Sequence, residues 1–259
     1  MIYASTLVKM GKKQSPKLRT VNKSIAAYPL NEFNKDFPYI LGQEIVYLLA
    51  SKGRADLQGN EWEQIFAHCI AAEWKPSNVG LDDVVMGNTA WGAKTVKSGV
   101  KDFRDLKQVR LISGRNSPIY SYGATIDTTI EPNLIGEQVL EIWNERVSAI
   151  REKYKHLRTV VLVKSDNLSQ VAVFEFETIR YDTELFDFFW NQRGNLEGFI
   201  KGTKEKRFVW QPHGSQFTII EKVPEHTLIL KIKQPETLDK EKVLRAIGFD
   251  KSWVTIERK

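Results

Sequence analysis

The stretch VGLDDVVMGNTAWGAKTVKSG, residues Val79 to Gly99, decides the reading of the fold. Two adjacent aspartates, Asp82 and Asp83, precede the short apolar run Val84-Val85-Met86. The turn-prone pair Gly87-Asn88 separates that run from a second segment, Thr89 to Lys97. This spacing predicts two β-strands, over 81–86 and 89–97, joined as a hairpin. Alternate side chains of a strand share a face, which sets Asp83 with Val85 and Asp82 with Val84 and Met86. On the second strand Gly92, Lys94 and Val96 share a face, opposite Trp91, Ala93 and Thr95. One of the two aspartates is therefore expected near Lys94 across the hairpin. The same pattern also fits an exposed hairpin with surface aspartates and a lysine extending from a sheet edge.

Upstream, residues 40 to 52 read as a helix ending at Gly53. In GNEWEQIFAHCIAAEWKP (Gly59 to Pro76), Trp62, Ile65, Phe66, Cys69 and Ile70 recur at helical spacing. Asn60 is the expected cap, Glu63 its capping-box partner, and Pro76 the end. Downstream, residues 136 to 156 form an amphipathic pattern with Val139, Leu140, Trp143, Val147, Ile150 and Tyr154 as its stripe. Arg158 to Lys164 reads as a buried strand and Gln170 to Asp182 as a strand with one solvated face. Glu236 to Phe249 reads as a closing helix. The sum is a mixed α/β core, a central β-sheet flanked by helices, in one compact unit.

The chain of 259 residues is long enough to bury a sizeable core and carries a net charge of +6. That charge favours a polyanionic partner. Val8 to Lys23 holds five lysines and one arginine without an acid, so residues 1–30 read as a basic arm or a solubilising tail. The single cysteine, Cys69, excludes an internal disulfide and a cysteine-built zinc site, and a reducing cytoplasm is expected. No apolar run spans a bilayer, and the N-terminus lacks the order of a signal peptide. The four histidines are too scattered for a metal cluster, and no glycine-rich NTPase loop occurs.

A carboxylate on one strand and a lysine on the next suit phosphodiester hydrolysis, where a carboxylate holds Mg²⁺ and an ammonium orients water or stabilises phosphate charge. Here the chain resembles the PD-(D/E)XK nuclease superfamily, and type II restriction endonucleases in particular. The superfamily's acid, then acid-any-lysine, maps onto Asp83 and Gly92-Ala93-Lys94. Gly92 departs from the pattern, because it stands where a second carboxylate is usual. The helix GNEWEQIF resembles the one that precedes the catalytic hairpin in this superfamily, and the likeness carries a metal-binding role over to Glu63, with Glu73 in reserve. The resemblance implies Asp83 and Glu63 as Mg²⁺ ligands, Asp82 as helper or substitute, and Lys94 for water activation or charge stabilisation.

Contacts to DNA are expected from two regions. SGRNSP, Ser113 to Pro118, offers Arg115 and Asn116 for a phosphate or a base edge, or is a capped turn. Lys97 suits a phosphate. Residues 186–259, packed on a nuclease core of 31–185, supply Arg193, Asn195, Lys201, Lys204 and Arg207 among aromatics. The segment WQPHGSQ adds Gln211, His213, Ser215 and Gln216. A polar pair of surface hairpins has the same composition.

The expected activity is sequence-specific, Mg²⁺-dependent cleavage of double-stranded DNA, and the resemblance implies 5′-phosphate and 3′-hydroxyl ends. A homodimer follows if the target is palindromic, and a cognate DNA methyltransferase encoded nearby is the expected companion. The alternatives are a DNA-binding protein without catalysis, or a degenerate nuclease relative in which Gly92 marks lost activity. A weaker one is an RNA-processing or repair nuclease.

Overall fold

A computed structural model describes residues 24–123 and 129–258. The basic cluster of Val8 to Lys23 lies outside the described residues. In chain order the elements begin with α1 (Phe37–Lys52) and α2 (Gly59–Cys69). The strands β1 (Glu73–Trp74), β2 (Val84–Met86), β3 (Thr89–Lys97) and β4 (Gln108–Arg115) come next. Helices α3 (Pro118–Tyr122) and α4 (Pro132–Arg151) precede β5 (His156–Lys164) and β6 (Gln170–Glu177). Four strands follow: β7 (Phe186–Trp190), β8 (Leu196–Ile200), β9 (Lys206–Gln211) and β10 (Gln216–Lys222). The chain closes with β11 (Leu228–Lys231) and α5 (Lys240–Ala246).

The described residues form a mixed α/β structure with two sheets. Sheet one has the order β1-β2-β3-β5-β6-β11 and sheet two the order β4-β10-β9-β8-β7. In sheet one β3 pairs antiparallel with β2, Val84 opposite Trp91, and parallel with β5, Ala90 beside Leu157. Parallel pairing needs a crossover, and α4 lies within it. Because β3 is buried on both faces, alternation sends its side chains to different cores. Trp91 and Ala93 join Phe37, Leu41, Trp62 and Phe66 under α1 and α2. Ala90 points the other way, with Val85 and Leu157, toward Val139, Trp143 and Val147 of α4 and Phe208, Trp210 and Phe217 of sheet two. Val109 and Leu111 of β4 pack on Val161, Val163, Ala172 and Phe174 in a third cluster. Helix α4 is thus held between the two sheets.

Several expectations shift. Helix α2 starts at Gly59 with Gln58 as its cap, and the Glu61 side chain, not that of Glu63, accepts from the Gln58 N–H at 2.7 Å. Helix α4 runs 132–151 and not 136–156, because Pro132, which needs no N–H partner, fits its first turn. Strand β6 stops at Glu177, where the Thr178 N–H turns to the Leu157 carbonyl at 2.8 Å. Helix α5 is shorter than 236–249, starting after Asp239, whose side chain accepts from the Lys242 N–H.

The division at residue 185 is crossed in both directions. Strand β4 pairs with β10 in sheet two, while β11 pairs with β6 in sheet one. Residues 24–30, placed in the basic arm by composition, are pinned to sheet one. Ala27 N–H donates to Thr89 Oγ1 at 2.9 Å, and the Tyr28 ring stacks on Trp91 at 5.8 Å. Among the described residues no helix is long and apolar enough to cross a membrane.

Candidate active site

Both aspartates of the opening stretch are buried, with Asp82 6 % and Asp83 3 % exposed, so neither begins an exposed strand. Asp83 lies just ahead of β2. Continuing the β2–β3 register sets it opposite Gly92, on the α4 face of sheet one. Its Oδ2 accepts from the Ala93 N–H at 3.1 Å. Lys94 stands on the same face of β3, an interior strand, so it is not an edge lysine. Its ammonium donates to the Gly80 carbonyl at 3.0 Å.

The charges act on one another. Burial pushes the Asp83 carboxyl up to about 6; Lys94 and the Ala93 N–H oppose the rise, while Glu63 and Asp82 add to it. Burial lowers the Lys94 ammonium, Asp83 and Glu63 favour its charge, and Arg146 disfavours it. Asp83, Glu63 and Lys94 therefore share one electrostatic environment. Glu63 acts on the other two from a distance: it stands on α2, its Oε2 accepting from Trp74 Nε1 at 3.1 Å. Asp82 Oδ1 is buried without a hydrogen-bond partner among the described residues. A desolvated carboxylate oxygen left open costs more than one bonded to protein, so it suits a cation or a donor brought from outside. Glu73 sits exposed on the two-residue strand β1.

Gly92 has a steric reason. A Cβ on it would lie 2.8 Å from the Gly80 carbonyl oxygen and 3.1 Å from Leu81 Cα. The loop that seats the aspartates crosses where a second acid of the hairpin would stand. Among the described residues no group of three or more His, Cys, Asp or Glu gathers as a metal cage. Mg²⁺ does not require one, because it commonly takes one or two carboxylates and keeps several waters.

The residues expected to contact DNA divide by place. Sheet two pairs Arg115 with Gln216 and Gln216 with Gln211, and Asn195 follows at the next strand beside Gln211. Arg193 in the β7–β8 turn, and His213 and Ser215 in the β9–β10 turn, stand at this same end. Lys201 and Lys204 lie at the opposite end, in the β8–β9 turn. Arg207 is near them and already engaged, pairing with Glu221 and donating to the Ile220 carbonyl at 2.8 Å. Lys97, at the exposed end of β3, pairs with Asp166 at 2.7 Å. Asn116 is fully buried, so it is not a surface contact: its Nδ2 donates to the Val139 carbonyl at 2.9 Å and its Oδ1 accepts from Arg146 at 3.0 Å.

Arg146 escaped the sequence reading because it lies beside the apolar stripe of α4, where arginines are common and unremarked. Its Nη1 donates to the Ser113 carbonyl at 2.8 Å and its Nη2 to the Val79 carbonyl at 2.6 Å, which joins the polar end of sheet two to the aspartate loop. Compared with known proteins, the chain matches no family model, no curated sequence and no solved structure.

Proposed function

We propose that the protein is a Mg²⁺-dependent, sequence-specific endonuclease of double-stranded DNA, of the restriction type, on a core like that of the PD-(D/E)XK nucleases. One observation carries the reading. A buried pair of adjacent aspartates, one with an open oxygen, shares its electrostatic environment with a partly buried lysine on the neighbouring interior strand. A fold has little reason to bury these charges unless a ligand repays the cost.

Asp83 and Glu63 would hold Mg²⁺, with Asp82 helping. When bound, the ion polarises the scissile phosphate and makes a water acidic enough to yield hydroxide near neutral pH. Lys94, anchored on the Gly80 carbonyl, orients the attacking water and offsets the negative charge that builds on the phosphate oxygens. Water oxygen bonds to phosphorus, the P–O3′ bond breaks, and the 3′ oxygen takes a proton from solvent. The polar end of sheet two, with Arg115, Gln211 and Gln216 in register, supplies base and phosphate contacts beside the site. A palindromic target would require two copies of the chain.

A second reading, DNA binding without cleavage, is favoured by Gly92, whose surroundings leave no room for the missing acid. Incubation with plasmid DNA in Mg²⁺ or in EDTA separates the two. Discrete fragments in Mg²⁺ alone support the nuclease, whereas retardation without cleavage supports the binder. Sequencing the fragment ends then identifies the site and the cut.

A further inference from the structure

Arg146 projects from α4 into the space between the two sheets, its guanidinium 5.6 Å from the Trp143 ring. Three oxygens from two segments receive its protons: the carbonyl of Val79, and the carbonyl of Ser113 with the side chain of Asn116 at the end of β4. The end of β4 is shaped around it. Gly114 holds φ at +121°, and a Cβ there would lie 2.4 Å from Nη1. Asn116 extends the chain of contacts, since its N–H donates to the Ser215 carbonyl at 2.9 Å and its own carbonyl accepts from Trp210 Nε1 at 2.7 Å. The β9–β10 turn bearing His213 is thereby linked to Val79, four residues before Asp83.

A neutral amide suffices for such a tie where nothing but packing is at stake. Two residues away on the same helix, Asn144 clamps Tyr181, donating to its carbonyl at 2.8 Å and accepting from its N–H at 2.7 Å. Arg146 instead carries a positive charge into a partly buried place beside Lys94, and burial lowers its own pKa. A planar guanidinium is the side chain that can hold three acceptors in fixed directions at once.

We infer that Arg146 is a positioning residue that couples nucleic-acid contact at the polar end of sheet two to the seating of Asp82 and Asp83. The inference rests on the nuclease reading of that site for its consequence on rate, and on geometry alone for the coupling itself.

The test compares the full-length wild-type chain with R146Q and R146K, using duplex DNA carrying the cleaved sequence, or a random-sequence duplex where no cleavage is found. Three quantities are read: amide hydrogen exchange over residues 79–83 and 113–116 with and without duplex, DNA affinity in EDTA, and single-turnover cleavage in Mg²⁺. In the wild type, duplex should slow exchange in both segments. In R146Q the slowing should persist at 113–116 and vanish at 79–83. Affinity should be nearly unchanged while the rate falls about 100-fold, as expected when reacting groups are misplaced by about 1 Å. R146K should recover part of the rate, and it carries the test if R146Q fails to fold. Retained protection at 79–83 in R146Q, equal losses of affinity and rate, or no duplex-dependent protection at 113–116 in the wild type would overturn the coupling. Protection without any wild-type cleavage would sink the nuclease reading and leave the coupling standing.

Discussion

Two clusters that each set carboxylates beside a cation lie on the two faces of sheet one, and they differ in how completely the carboxylates are satisfied. On the α1–α2 side Glu175 is fully buried. Its Oε1 accepts from Tyr28 at 2.7 Å and Trp91 Nε1 at 2.6 Å, and its Oε2 from the Asn31 N–H at 3.1 Å and Arg158 at 3.4 Å. On the α4 side Asp83 has its carboxyl raised by burial beside Lys94, and the adjoining Asp82 keeps an oxygen without a partner among the described residues. The carboxylate of the first cluster is closed: four donors fill it and pin residues 28–31 to the sheet, while Arg158 Nε keeps only an ion-pair contact with Glu177 at 3.5 Å. The second is open. Saturation, more than burial, separates a structural charge from one poised for a ligand.

The comparison can be broken by exchanging charge for neutral groups in each cluster. Replacing Glu175 by alanine strips four donors of their acceptor and leaves Arg158 buried without its carboxylate. Denaturant unfolding should show a loss of about 3–5 kcal/mol. A loss under about 1 kcal/mol, the scale of a single net hydrogen bond, would mean the closed cluster is not structural.

The open cluster should respond with the opposite sign. Asp83→Asn removes a carboxyl that must ionise in a buried place, and in the metal-free protein it should stabilise at pH 7 by about 2–3 kcal/mol, following from about 1.4 kcal/mol per pH unit. The sign follows from the raised folded value: Asp83 favours the native state below its unfolded pKa near 3.8, and that contribution is lost as pH rises through about 6. The gap between D83N and wild type in thermal unfolding should therefore widen from pH 4 to pH 7. A constant gap contradicts the origin given for the shift.

The smallest effect sharpens the steric account of Gly92. Gly92→Ala should cost about 1–3 kcal/mol, typical of overpacking, because the Gly80–Leu81 loop must move. A neutral substitution would leave the missing acid without a physical reason.

The hairpin was legible in the sequence because its signals are local. Gly87-Asn88 marks the turn, and the period of two sets one of the two aspartates near Lys94; the register of the structure makes it Asp83. Helices α1, α2 and α4 were legible from their periodicity, apart from their ends. What sequence did not show depends on contacts distant along the chain. Strand β4 leaves its neighbours for sheet two through pairing with β10, about a hundred residues later, and β11 returns to sheet one. Asn116, in a segment with every mark of a surface loop, is buried because Val139, Arg146 and Trp210 converge on it. Arg146 carries no local signal, since its three acceptors, Val79, Ser113 and Asn116, lie thirty or more residues away along the chain. The Glu175 cluster was missed for a similar reason: Tyr28, Asn31, Trp91 and Arg158 share no motif.

Cleavage of supercoiled plasmid in Mg²⁺ by wild-type protein and by D83N, purified and assayed side by side, tests the central claim most directly. Linear or fragmented DNA is expected from the wild type, with at least a ~1,000-fold slower reaction from a D83N protein that is folded and equally able to bind DNA. Equal cleavage by the two proteins, or none by a folded wild type, would contradict the claim.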